Sequence, residues 1–203
     1  MKLELFKVSD KAQLPQRATE QASCYDVQAC LHGEIAVYYK GGKGVKSIDE
    51  DDDSGVQRIV VRPRERVAVP TGFIFNIPEG YEVKLYARSG LSLKNGISLS
   101  NSVGVIDCDY KDELYVTVIN NSEDVFILKD GMRIAQFEMV KKSPFDIAET
   151  KTKPTATTDR KGGLGSTGTE SKEDKATEQP KRKTKSIGVP TEKESKESKE
   201  AKE

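Results

Sequence analysis

Short runs of apolar, β-branched and aromatic residues, each closed by glycine, proline or aspartate, recur along this chain from Leu3 to Val140. They are Leu3–Val8, Val56–Val61, Val67–Val69, Gly72–Ile77, Tyr81–Tyr86, Ile97–Ser100, Leu114–Ile119, Val125–Leu128 and Ile134–Val140. Tyr81, Val83 and Leu85 fall on one face of an extended segment, with Glu82 and Lys84 on the other, the period of two that marks a half-buried strand. Many such strands, with a turn every eight to twelve residues or roughly so, predict an all-β fold: a distorted jelly-roll barrel or sandwich. Only Ser89–Lys94 has the makings of a helical turn.

The composition shifts after about Pro144. Residues 1–147 are expected to form the jelly-roll domain, which is long enough for one core of its own. Residues 148–168 read as a flexible linker and glycine-rich arm. Residues 169–203 hold no aromatic residue and end in a Lys-Glu repeat. They cannot bury enough apolar surface to offset their ordering entropy, so a disordered tail is expected.

Lysine and arginine total 33 and aspartate and glutamate 33, so the net charge argues for neither a nucleic-acid nor an anionic-membrane partner. No apolar run approaches the ~18 residues of a membrane span. Met1–Lys7 alternates apolar and charged residues, as a strand does and a secretory signal does not. An intracellular, cytoplasmic setting with reduced Cys24, Cys30 and Cys108 follows. Lys181–Lys185 fits a nuclear localisation signal in a eukaryotic source, but a solvated charge run is the favoured reading.

Residues 32–55 interrupt the strand pattern. Gly41-Gly42-Lys43-Gly44 followed by Asp49-Glu50-Asp51-Asp52-Asp53 predicts a hairpin insertion exposed to water. It is no calcium loop, because Gly55 falls one place late and Val60 stands where a bidentate glutamate belongs. Zinc is equally unsupported, since His32 is the only histidine and the cysteines lack CxxC spacing.

The chemistry concentrates in the turns. Gly104-Val105-Ile106-Asp107-Cys108-Asp109-Tyr110 reads as a tight hairpin tip carrying two carboxylates and an aromatic ring. Arg88-Ser89-Gly90-Leu91, Arg133-Ile134-Ala135-Gln136 and the arm from Arg160 to Gly168 add guanidinium groups, hydroxyls and backbone N–H groups. Those are the donors that a polyphosphate requires.

In their order along residues 1–168, these turns and Ala22-Ser23-Cys24-Tyr25-Asp26-Val27 resemble the five motifs of the trimeric deoxyuridine triphosphatases, the dUTPases. The resemblance implies hydrolysis of dUTP to dUMP and pyrophosphate by water attack on the α-phosphorus, which limits uracil in DNA and supplies dUMP for dTMP synthesis. It implies Asp107 as general base, a role that needs an ionised carboxylate within hydrogen-bond reach of the water. Asn101 and the main chain of Val105, Ile106 and Tyr115 match the uracil contacts, since strand backbone can imitate a pairing edge. Read alone, Asn101 is an ordinary turn cap. Tyr110 matches the ring that stacks on deoxyribose and leaves no room for a 2′-hydroxyl. Asp109 is expected to tie the hairpin by side-chain-to-backbone bonds.

On the phosphate side the resemblance implies Arg88, Ser89, Gly90 and Gln136, joined by Arg160, Gly165, Ser166 and Thr167 of the arm acting as a lid. Mg²⁺ is implied as cofactor, held mainly by the substrate phosphates, with no direct protein ligand and Asp26 contributing through water. A homotrimer is implied, with each site shared between subunits. Several positions depart from the family pattern: Cys24 for glycine, Ala87 for proline, Lys111-Asp112 for Arg-Gly, and Met132 for an acidic residue. Leu164 replaces the phenylalanine that stacks on uracil, and Arg160 lies one residue closer to the glycine pair. Two rival readings share the fold, a dCTP deaminase-like or bifunctional relative and a regulatory nucleotide-binding protein.

Overall fold

A computed structural model describes residues 2–51 and 53–158, and the chain divides after Asp146 into two units. The second unit carries no regular secondary structure over its described residues, 147–158. The arm and tail expected at residues 160–203 lie outside the described residues.

The first unit is the all-β, distorted jelly roll that the strand pattern predicts. Its strands are β1 (Glu4–Lys7), β2 (Tyr25–Gln28), β3 (Ile35–Tyr39), β4 (Gly42–Lys46), β5 (Asp49–Glu50), β6 (Gln57–Val61), β7 (Arg66–Asn76), β8 (Tyr81–Ala87), β9 (Ile97–Leu99), β10 (Gly104–Ile106), β11 (Glu113–Asn120), β12 (Phe126–Lys129) and β13 (Arg133–Lys141). The helix α1 spans Ser89–Asn95 and stops at Gly96, whose left-handed φ of 66° lets its N–H bond back to the last turn.

One sheet runs β4-β3-β7-β11-β9, with β1 also on β7; a second runs β10-β8-β13-β2; a small third runs β12-β6-β5. Alternate residues of β8 and β11 point inward, so Val83, Leu85, Leu114, Val116 and Val118 join Val67, Val69, Phe73, Phe75 and Phe137 in one core. Between the sheets Asn120 is fully buried. It survives there because its amide donates to the carbonyls of Val61 and Asp124 and accepts from Ser122.

Three expectations are corrected. Val67–Val69 and Gly72–Ile77 are one strand, β7: Pro70 sits where the β7–β11 register shifts at a bulge, and Gly72 adopts φ 74°. The segment 32–55 forms a hairpin, but β3 pairs with β7 and buries Ile35 and Val37, while Lys46 pairs with buried Glu65. It is part of the main sheet and not a free excursion. Third, Gly104–Tyr110 is no tight tip. Strand β9 pairs with β11 through Val118↔Leu99, and the chain between them crosses over so that β10 joins β8 in the second sheet.

Candidate active site

Two groups of predicted residues gather at opposite ends of β8. At its C-terminal end Asp26 stands on β2 opposite Gln136 of β13, and β13 pairs in turn with β8. The buried Asp26 carboxylate accepts a bond from Arg88 Nε at 3.0 Å on one oxygen and from Arg133 Nη1 at 2.9 Å on the other. Arg88 Nη1 donates to the Arg133 carbonyl at 3.1 Å, which sets the plane of its guanidinium. Gln136 donates from Nε2 to the Ala87 carbonyl at 3.0 Å, so its amide is fixed beside the same strand end. Ser89 and Gly90 begin α1 and are exposed, and a Cβ at Gly90 would meet nothing within 4 Å.

This cradle carries two cations for one anion, and bonds on both its oxygens hold the arginines in place before any ligand arrives. Each Asp26 oxygen retains a lone pair, so a water bound to a hard cation is a fitting further partner. Among the described residues no group of three or more His, Cys, Asp or Glu stands together as a ligand set. The neighbouring Cys24 thiol is pushed up by burial and by Glu138 and Asp26, which leaves it a poor nucleophile.

The other group surrounds the 100–112 crossover. Strand β10 is the outer strand of its sheet, so one row of backbone groups at Val105 and Ile106 has no ladder partner. At Tyr115 the same holds for one edge of β11, since β9 covers only Val118–Asn120. Asn101 lies exposed beside Gly104, where a Cβ would stand 3.3 Å from its amide nitrogen and 3.1 Å from Leu85. Tyr110 is 38% exposed, and its hydroxyl donates to the Glu113 carbonyl at 2.8 Å, which fixes the ring at the loop mouth. Burial, Asp112 and Glu113 raise its phenol, and burial and Glu113 raise that of Tyr115, so both hydroxyls stay protonated.

Asp107 presents an exposed carboxylate, with Lys142 Nζ 3.4 Å from Oδ1. Among the described residues Asp109 makes none of the expected hydrogen bonds. The loop is tied instead by the Tyr110 N–H to the Asp107 carbonyl at 3.2 Å and by the Tyr110 hydroxyl. The sequence reading also missed Glu113, whose Oε1 accepts the Gly72 N–H at 2.7 Å and meets His32 Nε2 at 2.9 Å. Its position three residues past Tyr110 was the available signal. Arg160, Gly165, Ser166 and Thr167 lie outside the described residues.

The two groups do not meet within one chain. Asp107 follows the Ile106↔Val83 pair, and Arg88 follows Ala87 at the far end of the same strand. Five residues of extended chain separate Val83 from Arg88, about 17 Å.

Fold and site together define a jelly-roll protein with a preformed cradle of two arginines on one carboxylate and, apart from it, an open backbone edge beside a second carboxylate. The chain belongs to the dUTPase family: residues 54–168 match the dUTPase family model. It is 35% identical over 162 residues to the deoxyuridine 5′-triphosphate nucleotidohydrolase of Chlamydia muridarum, covering 80% of this chain and 95% of that one. The Hydrogenobaculum enzyme of the same name is 38% identical over 168 residues, 83% of this chain and 99% of its own. The fold also matches a mutant dUTPase from phage phi11 of Staphylococcus aureus, whose structure details coordination of a structural Mg(II) ion. The TM-score is 0.57, at 19% identity over 76% of this chain and all of that one.

Proposed function

We infer that this chain is a dUTP diphosphatase, releasing pyrophosphate and dUMP from dUTP. The observation that carries the reading is the exposed Asp107 carboxylate between the open β10 edge and the anchored Tyr110 ring. Uracil offers two carbonyls and one N–H, which free strand amides and carbonyls can satisfy as a pairing partner would. Tyr110 then faces the sugar. Asp107 accepts the proton of the water that attacks the α-phosphorus, a contribution of roughly 10²–10⁴ in rate.

Arg88 grips phosphate oxygens while Asp26 holds it in place, and negative charge developing on the leaving pyrophosphate is met by Ser89 and the Gly90 N–H. Gln136 supports the same end. Asp26 would hold a substrate-bound Mg²⁺ through water, and the ion would supply neutralisation of the phosphate charge. The family resemblance assigns Arg160, Gly165, Ser166 and Thr167, which lie outside the described residues, to the same phosphates.

A gap of about 17 Å is too wide for Arg88 and Asp107 of one chain to act on one triphosphate, because the base must stand within hydrogen-bond reach of its water. The separation supports a homotrimer with sites shared between subunits. Pyrophosphate release should be seen with dUTP and not with dTTP, UTP or dCTP, should require Mg²⁺, and should fall by about 10²–10⁴ in Asp107→Asn. Ammonia release from dCTP would instead establish a deaminase. Undiminished turnover by Asp107→Asn would remove the general-base assignment.

A further inference from the structure

We propose that Lys142 is a positioning residue for the reaction, holding Asp107 in the rotamer and charge state of a working base. The proposal rests on the diphosphatase reading above and adds to it a residue that no motif contains.

The placement is a product of sheet order. Asp107 follows β10 on one side of β8, and Lys142 follows β13 on the other, with its N–H bonded to the Gly80 carbonyl at 2.8 Å. The lysine side chain thus crosses the end of β8 to reach a carboxylate about two strand spacings away, some 10 Å. Among the described residues Lys142 is the one side chain that bonds Asp107, through Oδ1 at 3.4 Å. That leaves Oδ2 to accept from a water.

The ammonium is not a freely solvated surface charge. It is half-buried, 34% exposed, with Cys108 Sγ at 3.9 Å. Burial works against its charge, yet Cys108, Asp107 and Glu82 together hold it above the ordinary lysine value, so it stays cationic throughout the neutral pH range. Other charged groups at this end of the sheet include Glu79 before β8, Glu82 and Lys84 of β8, which pair with each other at 3.3 Å, Lys141 opposite Tyr81 at the end of β13, and Asp109 of the loop. Among the described residues neither Lys84 nor Lys141 pairs with Asp107, and Lys84 is held by Glu82.

A triphosphate brings several negative charges towards Asp107, and these disfavour the ionised base. A fixed ammonium beside the carboxylate opposes that effect where it matters, in the enzyme–substrate complex. The acid limb of the kcat profile reports that complex, whereas kcat/KM reports the free enzyme.

The test compares wild type, Lys142→Met and Lys142→Arg in the full-length protein, with kcat and KM for dUTP measured from about pH 5 to 9. In Lys142→Met the acid limb of kcat should move up by about half a pH unit, a loss of about threefold at a pH below the limb. The loss should shrink as pH rises, and kcat should change more than KM. Lys142→Arg should restore the wild-type limb, and about 0.5 M salt should narrow the difference between wild type and Lys142→Met. Circular dichroism checks that each variant is folded. Coincident acid limbs in wild type and Lys142→Met would overturn the proposal, as would an arginine variant displaced as far as the methionine one. If wild type fails to hydrolyse dUTP, the diphosphatase reading itself falls; if Asp107→Asn is dead and Lys142→Met shifts nothing, only the role of Lys142 falls.

Discussion

Replacing Gly72 by alanine should cost this protein much of its stability, and the structure separates the cost into two parts. Gly72 lies in β7 at φ 74°, where an L side chain is strained by about 1–2 kcal/mol. Its new Cβ would also stand 2.5 Å from Ala12 Cβ, 3.0 Å from Cys30 Sγ and 3.2 Å from Cys30 Cβ. Ala12 and Cys30 are both buried and have no flexible end to swing aside, so overpacking adds about 1–3 kcal/mol. The sum is about 2–5 kcal/mol, or roughly 5–20 °C in Tm for a domain of this size. Calorimetric melts at one fixed protein concentration provide the assay. The double variant Gly72→Ala/Ala12→Gly removes the nearest methyl and should regain most of the steric part, leaving the backbone part. A single variant that melts within about 2 °C of wild type would refute both the packing and the backbone argument.

Glu65 carries a pH dependence whose sign is fixed. Burial alone would raise its carboxyl, but the bond from Lys46, the Arg62 N–H and both positive charges hold it below its ordinary 4.5. Its stabilising effect is therefore present above pH 4.5 and lost as pH falls through the lowered folded value. In Glu65→Gln the acid decline of Tm should flatten, and near neutrality the variant should lose about 3 kcal/mol because Lys46 stays buried without its partner. Parallel Tm–pH curves for variant and parent would contradict this. Leu164→Phe should lower KM for dUTP by about fivefold, the worth of one aromatic contact near 1 kcal/mol. Unchanged kinetics would remove position 164 from the binding of the base.

Strands with one wet face were legible in the chain. Alternation in Tyr81–Tyr86 and Leu114–Ile119 places β8 and β11, and the helical turn expected at Ser89–Lys94 is α1, which Gly96 ends in the left-handed region. β7 was read as two pieces because Pro70 and Gly72 look like punctuation, and only the bulge opposite β11 shows why the strand runs through them. β2 was invisible because its central residue is a carboxylate. Asp26 becomes buried only where two arginines from β13 and the end of β8 converge on it. The motif residues were readable from their resemblance to a family, but their partners were not. His32, Glu113 and Lys142 acquire their contacts from strand order: Glu113 lies 81 positions from His32, and Lys142 lies 35 from Asp107. No local pattern encodes such pairings.

Asp26 also proofreads the pairing of an edge strand. β2 is four residues long and closes one side of its sheet, the kind of short strand whose pairing slips easily. A slip of one position would turn Asp26 and Val27 onto opposite faces. Two guanidinium groups would then be stripped of their counter-charge and a carboxylate driven into the apolar core where Val27 now packs. Misaligned sheets are thus penalised by the same three charges that form the cradle, so that a chain with its arginines in place has, by that fact, closed its edge correctly.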